Sequence, residues 1–115
     1  MDIRSFLTTL VFLFFTQFFV AQKSYNALVY EGNKKFDAKD YNAATGKYLE
    51  AISEKSGNYT AHYNLGNSLY KSKKYEEASA EYQKSIGLTK SKYEKAAALY
   101  NLIIRKKQPI FINNH

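Results

Sequence analysis

Tyr63-Asn64-Leu65-Gly66-Asn67 is the stretch on which the rest of the chain is patterned. Shifted back by 34 residues, Gly66-Asn67 falls on Gly32-Asn33, Tyr75 on Tyr41, Ala78 on Ala44, Tyr82 on Tyr48 and Ile86 on Ile52, with no gap. Shifted forward by 37, Tyr63-Asn64-Leu65 falls on Tyr100-Asn101-Leu102. Self-similarity at a fixed period of this size marks a helical repeat array, in which each helix pair is one unit.

The spacing of apolar residues divides each unit into two helices. Residues 22–37 predict the first, with Leu28, Val29, Gly32 and Phe36 near helical spacing. Ala38-Lys39-Asp40 is a turn, and Asp40 suits the N-cap of the next helix. There Tyr41, Ala44, Tyr48, Ala51 and Ile52 form one stripe. Gly57 suits a left-handed position after it. The second unit opens at Tyr59, turns at Lys71-Ser72-Lys73-Lys74, and repeats the stripe as Tyr75, Ala78, Tyr82, Ser85 and Ile86. Ser91-Lys92-Tyr93-Glu94 is a capping-box pattern, so a third helix begins near Lys92. It should end before Pro109, leaving residues 108–115 as an irregular tail.

Helices joined by short turns pack antiparallel, and the copied residues say how. Gly32 and Gly66 carry no side chain, so a partner helix can approach there. Tyr48 and Tyr82 supply rings to fill against them, and Ala44 and Ala78 keep the crossing tight. Ala51 and Leu65 complete the packing set. The expected fold is all-α, an antiparallel helix-pair solenoid with repeats over 25–58 and 59–92 and the first helix of a third over 93–107.

A chain of 115 residues is one domain at most. It carries 17 basic and 10 acidic residues, for a net charge of +7, and no cysteine, so disulfides and thiolate chemistry are excluded. Six of the eight Phe lie before residue 22, while all eleven Tyr lie after it. That split sets off residues 1–21, where Arg4 flanks a run from Phe6 to Ala21 interrupted only by Thr8, Thr9, Thr16 and Gln17. Two readings stand. Ala21 suits cleavage of a signal peptide, with the mature chain starting at Gln22; Phe19 departs from the small-x-small pattern, which suits an N-terminal membrane anchor. In both, residues 22–115 are delivered across a membrane.

The copied residues resemble tetratricopeptide repeats, on Leu65-Gly66, Ala44, Ala78, Tyr48, Tyr82 and Ala51. Glu31, Ser85 and Lys90 depart from that pattern, standing where leucine, alanine and proline are common. The resemblance implies a non-enzymatic scaffold whose first helices line a concave groove for a peptide or protein partner. The apolar leader ending Ala21-Gln22 and the longer link before Tyr100 are similar to tetratricopeptide proteins of the Bacteroides aerotolerance (Bat) type. That narrower resemblance implies export to the periplasm or inner membrane of a Gram-negative bacterium, with a part in envelope assembly or stress.

After Leu102 the copy breaks: Ile103-Ile104 stands where Gly-Asn is expected. Either the array is truncated or the third helix is a cap. A cap shows a polar outer face, and Ile103, Ile104, Ile110 and Ile112 do not supply one. Residues 22–115 are therefore expected to be either self-associated through this helix or only marginally folded.

Chemistry finds no foothold. No metal-type spacing, phosphate loop or nucleophile elbow occurs, so no enzyme and no cofactor is expected. His62, with no acid nearby in sequence, reads as a packing residue. The expected groove comprises Val29, Asn33, Phe36, Tyr63, Asn64, Asn67 and Tyr70. Its asparagines serve either as contacts to a peptide backbone or as mere copies of the Gly-Asn pair. Chaperone-tail-binding members of the family hold a carboxylate with lysines, an arginine and asparagines. Asn33 and Asn64 match the amides, but Val29, Ala97 and Asn101 stand at the cationic places, so that ligand is not expected. Lys34-Lys35, Lys71 to Lys74 and Arg105 to Lys107 read as solvated helix ends. Their functional alternative is an anionic lipid surface or acidic partner, ahead of nucleic acid. A fragment without activity of its own is the remaining alternative.

Overall fold

A computed structural model describes residues 2–20 and 22–112, with side chains described for 2–14 and 22–104. Six helices follow in order: α1 (Ile3–Val20), α2 (Tyr25–Asp37), α3 (Tyr41–Glu54), α4 (Tyr59–Lys71), α5 (Tyr75–Gly87) and α6 (Lys92–Ile112). Among the described residues there is no strand. The main interfaces join α2 to α3, α3 to α4, α4 to α5 and α5 to α6, with a small contact between α2 and α4. The chain is thus an all-α helix-pair solenoid, as the repeat predicts. The described side chains of α1, from Ile3 to Phe14, are exposed. Among the described residues no helix is long and apolar enough to cross a membrane.

Local chemistry sets the helix ends. The Asp40 carboxylate accepts from the backbone N–H of Ala43, and the Asn58 side chain accepts from Thr60, each satisfying a donor the helix leaves open. Ser91 accepts from the N–H of Glu94, half of a capping box; the Glu94 carboxylate takes the Thr89 hydroxyl instead of closing the other half. The α2 and α4 ends are copies of one another. Lys39 N–H bonds to Phe36 carbonyl and Asp40 N–H to Lys35 carbonyl; Lys73 N–H bonds to Tyr70 and Lys74 N–H to Leu69. This is a Schellman turn, and its left-handed residues are Lys39 (φ 62°) and Lys73 (φ 65°).

Two local expectations are corrected. Gly57 is not left-handed, since no glycine has a positive φ among the described residues. The α3 cap residue Lys55 is extended, so the chain leaves that helix without needing a left-handed residue. Nor does the third helix stop before Pro109: α6 runs to Ile112, so residues 108–112 are helical rather than an irregular tail. Proline removes one helical N–H and crowds the preceding turn, a penalty against the helix rather than a prohibition. Residues 113–115 of the expected tail lie outside the described residues.

The core sits where the copied residues meet. Ala44, Tyr48, Leu65, Leu69, Ala78 and Tyr82 form its centre, with Phe36, Ile52, Tyr63, Tyr70 and Leu102 packed around it. Leu28, Val29, Ala51 and Ala61 form a second cluster beside it. Tyr48 lies over Gly32 and Tyr82 over Gly66, so each glycine admits one ring. Two of the departures from the repeat pattern, Ser85 and Glu31, have partners. Ser85 is fully buried, and its hydroxyl donates to the Tyr82 carbonyl at 2.7 Å. Glu31 leaves the core and binds Lys23 at 2.6 Å and Lys47 at 3.3 Å. The two ammonium groups hold its carboxyl below the usual range.

Candidate functional site

The first helices α2 and α4 bring their asparagines together. A hollow of about 240 Å3 opens there, lined by Asn33, Phe36, Asp37, Tyr48, Asn64 and Asn67. Four of the seven residues expected in the groove line it: Asn33, Phe36, Asn64 and Asn67. Val29 does not, because it is buried beside Leu28. Tyr63 stacks on Tyr59 with ring centroids 5.3 Å apart, and its hydroxyl accepts from Asn101 Nδ2 at 2.7 Å. Tyr70 packs against Tyr75 as Phe36 packs against Tyr41, each pair closing one helical hairpin. The packing residues Gly32, Ala44, Tyr48, Ala51, Leu65, Gly66, Ala78 and Tyr82 are all buried.

The asparagines form a repeated ladder. The Tyr48 hydroxyl donates to Asn33 Oδ1 at 2.7 Å, and Asn64 Nδ2 donates to the same oxygen at 3.1 Å. One repeat on, the Tyr82 hydroxyl donates to Asn67 Oδ1 at 2.6 Å, and Asn101 Nδ2 donates to it at 3.4 Å. Each amide oxygen therefore has both lone pairs occupied. The Asn33 and Asn67 amide groups remain as donors in the hollow, since no described contact takes them. A buried tyrosine hydroxyl needs a partner, which explains why the asparagine is copied along with the glycine. That structural duty does not compete with binding, because it uses the oxygen and leaves the nitrogen.

Burial pushes the Tyr48 hydroxyl up to about 12, with the Asp37 carboxylate adding to the effect. Burial also pushes Tyr59 up to about 12, helped by Tyr63 and Glu94. Both rings are therefore held neutral in the fold beyond the ordinary tyrosine range of about 10. A raised folded value means that this stability is fully present below about pH 10 and is lost as pH rises toward about 12. Helical circular dichroism should hold its melting temperature up to pH 10 and lose it steeply by pH 12, together with tyrosinate absorbance appearing late. Early, unshifted titration of all eleven tyrosines would mean that these two rings are not enclosed.

His62 has the partner acid that the sequence does not reveal. Its Nδ1 lies 2.6 Å from Glu81 Oε2, and its Nε2 lies 3.0 Å from the Ser56 carbonyl. Lys84 binds the other oxygen of Glu81 at 2.9 Å. The ring is buried and ties α4 to α5 and to the loop before α4, a packing duty carried by polar bonds. Asp37 is the other residue that sequence reasoning missed. It stands four residues after Asn33, hence on the same helix face, which was the available signal. Among the described residues no group of His, Cys, Asp and Glu is placed to hold a metal ion. The lysines of the basic runs 34–35 and 71–74 lie at helix ends and turns, and the side chains of Arg105 to Lys107 lie outside those described.

Residues 59–91 match the tetratricopeptide repeat family. The matched segment spans α4 and α5, and α2 and α3 repeat its helices, its glycine–tyrosine contact and its turn at a shift of 34. The match and the helix-pair solenoid together support a tetratricopeptide repeat protein. Repeats of this kind generally mediate protein–protein interactions and are generally not catalytic. No curated protein and no solved structure matches the chain.

Proposed function

We propose that the chain is a non-enzymatic scaffold that binds an extended peptide segment of a partner protein across α2 and α4. The observation that carries this reading is the hollow in which Asn33 and Asn67 present amide donors while their oxygens are tied to Tyr48 and Tyr82. Fixed donors suit the backbone carbonyls of a peptide, which recur regardless of sequence. Phe36 adds apolar area at the rim. A peptide selected from a random library against the chain should shift the side-chain amide signals of Asn33, Asn64 and Asn67. Selected peptides that bind while leaving those signals unmoved would sink the reading.

The leader supports a place for this scaffold. An apolar helix with Arg4 in its first turn and Ala21 behind it in sequence suits export. With the Bat-type resemblance, it favours an envelope scaffold with a part in assembly or aerotolerance. Made in a Gram-negative host, the protein should begin at Gln22 by mass spectrometry. An intact Met1 on membrane-bound protein would replace cleavage with anchoring, and an intact Met1 on cytosolic protein would end the export reading.

A further inference from the structure

The hollow carries a charge that the asparagine ladder does not account for. Asp37 is the one charged side chain among its lining residues. It ends α2, where the helix dipole places partial negative charge and disfavours a carboxylate. Lys34 and Lys35 in the same turn are the residues that suit that end. Asp37 has no ion pair among the described residues, and it is exposed. Neither capping, nor packing, nor a salt bridge explains its position. Its field reaches the floor of the hollow, where it adds to the upward shift of the Tyr48 hydroxyl.

The hydrogen-bond ladder narrows what a ligand can meet there. The oxygens of Asn33 and Asn67 each accept two bonds already. Among the side chains lining the hollow, acceptor capacity is left on the Asp37 carboxylate of α2, the Asn64 oxygen of α4 and the Tyr48 hydroxyl oxygen beneath them. A group that meets these acceptors donates, and the carboxylate among them favours a donor with positive charge. We propose that the hollow selects a basic side chain, lysine or arginine, on the bound segment, with Asp37 as the specificity-determining residue. An arginine fits best, because its planar guanidinium can bond a carboxylate and a neighbouring amide oxygen together.

The selection belongs to the first repeat alone. The position 34 residues on is Lys71, so the same place in the second repeat has the opposite sign. The groove is therefore polar along its length, and a bound segment places its basic residue at α2. Charges farther than about 10 Å are screened at ordinary salt, and the near lysines Lys34, Lys35 and Lys39 form no ion pair with Asp37 among the described residues.

The inference rests on the peptide-groove reading, and the test separates the two. Random peptides are selected on the full chain and on Asp37→Asn, and Kd is measured for the tightest peptide and for the same peptide with its basic residue changed to glutamine. The full chain should enrich lysine or arginine at one peptide position. Asp37→Asn and the peptide change should each weaken binding about fivefold, the effect of a partly exposed charge pair. Combined, they should cost no more than either alone. Asp37 is exposed, so the variant should keep its helical signal and melting temperature. Peptides that move the Asn33 and Asn64 amides but show no basic preference would overturn the inference and leave the groove reading intact. So would equal weakening of basic and neutral peptides by Asp37→Asn, which assigns the residue a structural part. Peptides that leave those amides unmoved would overturn both.

Discussion

Gly66→Leu is expected to lower the unfolding free energy by about 3 kcal/mol, the upper end of the usual overpacking range. Even the first added carbon has no room. A Cβ at Gly66 would stand 2.7 Å from Cε1 and 2.8 Å from Cδ1 of Tyr82. That ring cannot step aside: it is 1% exposed, its hydroxyl is bonded to Asn67 at 2.6 Å, and Tyr63 lies against it at 5.8 Å. In a domain of this size each kcal/mol moves the melting temperature by about 4–8 °C, so the loss should exceed about 10 °C by circular dichroism. Gly46 supplies the contrast. It lies inside α3 with nothing within 4 Å of an added Cβ, and its copy 34 residues on is Ala80. Gly46→Ala should therefore stabilise by about 0.5–1 kcal/mol, the helix-propensity difference. An unchanged melting temperature for Gly66→Leu would mean that α4 and α5 do not meet at this glycine.

Why the sequence exposes this contact, and conceals others, is a question of range. Gly66 and Tyr82 are complementary: neither makes sense without the other, and both are copied to Gly32 and Tyr48 at one shift. A pairwise steric demand thus appears in the sequence as a repeated pair. The left-handed turns leave no such trace. Lys39 and Lys73 occupy a conformation that favours glycine, so composition points to Gly57 instead, where the backbone does not need one. Proline misleads in the same way at Pro109, since local propensity is a weak prior that the rest of a helix can override.

The hollow was legible in proportion to its repetition. Asn33 and Asn67 follow copied glycines, and Asn64 and Asn101 are copies of each other. Asp37 is not copied, because Lys71 replaces it, and comparison between repeats discards it. Glu81 lies 19 residues from His62 on a different helix, and no local spacing joins them. Val29 shows the opposite error. The first helix of each unit has two packed faces, one toward its own partner and one toward the neighbouring unit, and Val29 falls on a packed one. Periodicity marks apolar positions without saying which face is open.

Extending the chain by one more helix is expected to give the largest gain in stability. α6 stands where α4 stands one unit earlier, and it packs on α5 as α4 packs on α3. Its Leu99 and Ile103 are the counterparts, 37 residues on, of His62 and Gly66, which α5 covers on α4. On α6 both are 48% exposed, and Ile104 is 43% exposed. No described element covers that face, so it should drive self-association of residues 22–115. Changing Ile103-Ile104 to Gly-Asn and adding a turn and a helix copied from Tyr75 to Leu88 would place a tyrosine over the new glycine. The new helix would cover Leu99 and bury its own copies of Ala78, Tyr82 and Ile86, so the extended protein should melt at the higher temperature. Three full units also meet the number at which such stacks become stable, about three. Sedimentation should show the extended protein as a monomer and the original as larger species in equilibrium. If the original sediments as a well-folded monomer at high concentration, the open face of α6 is tolerated in water and the helix ends the array as a cap.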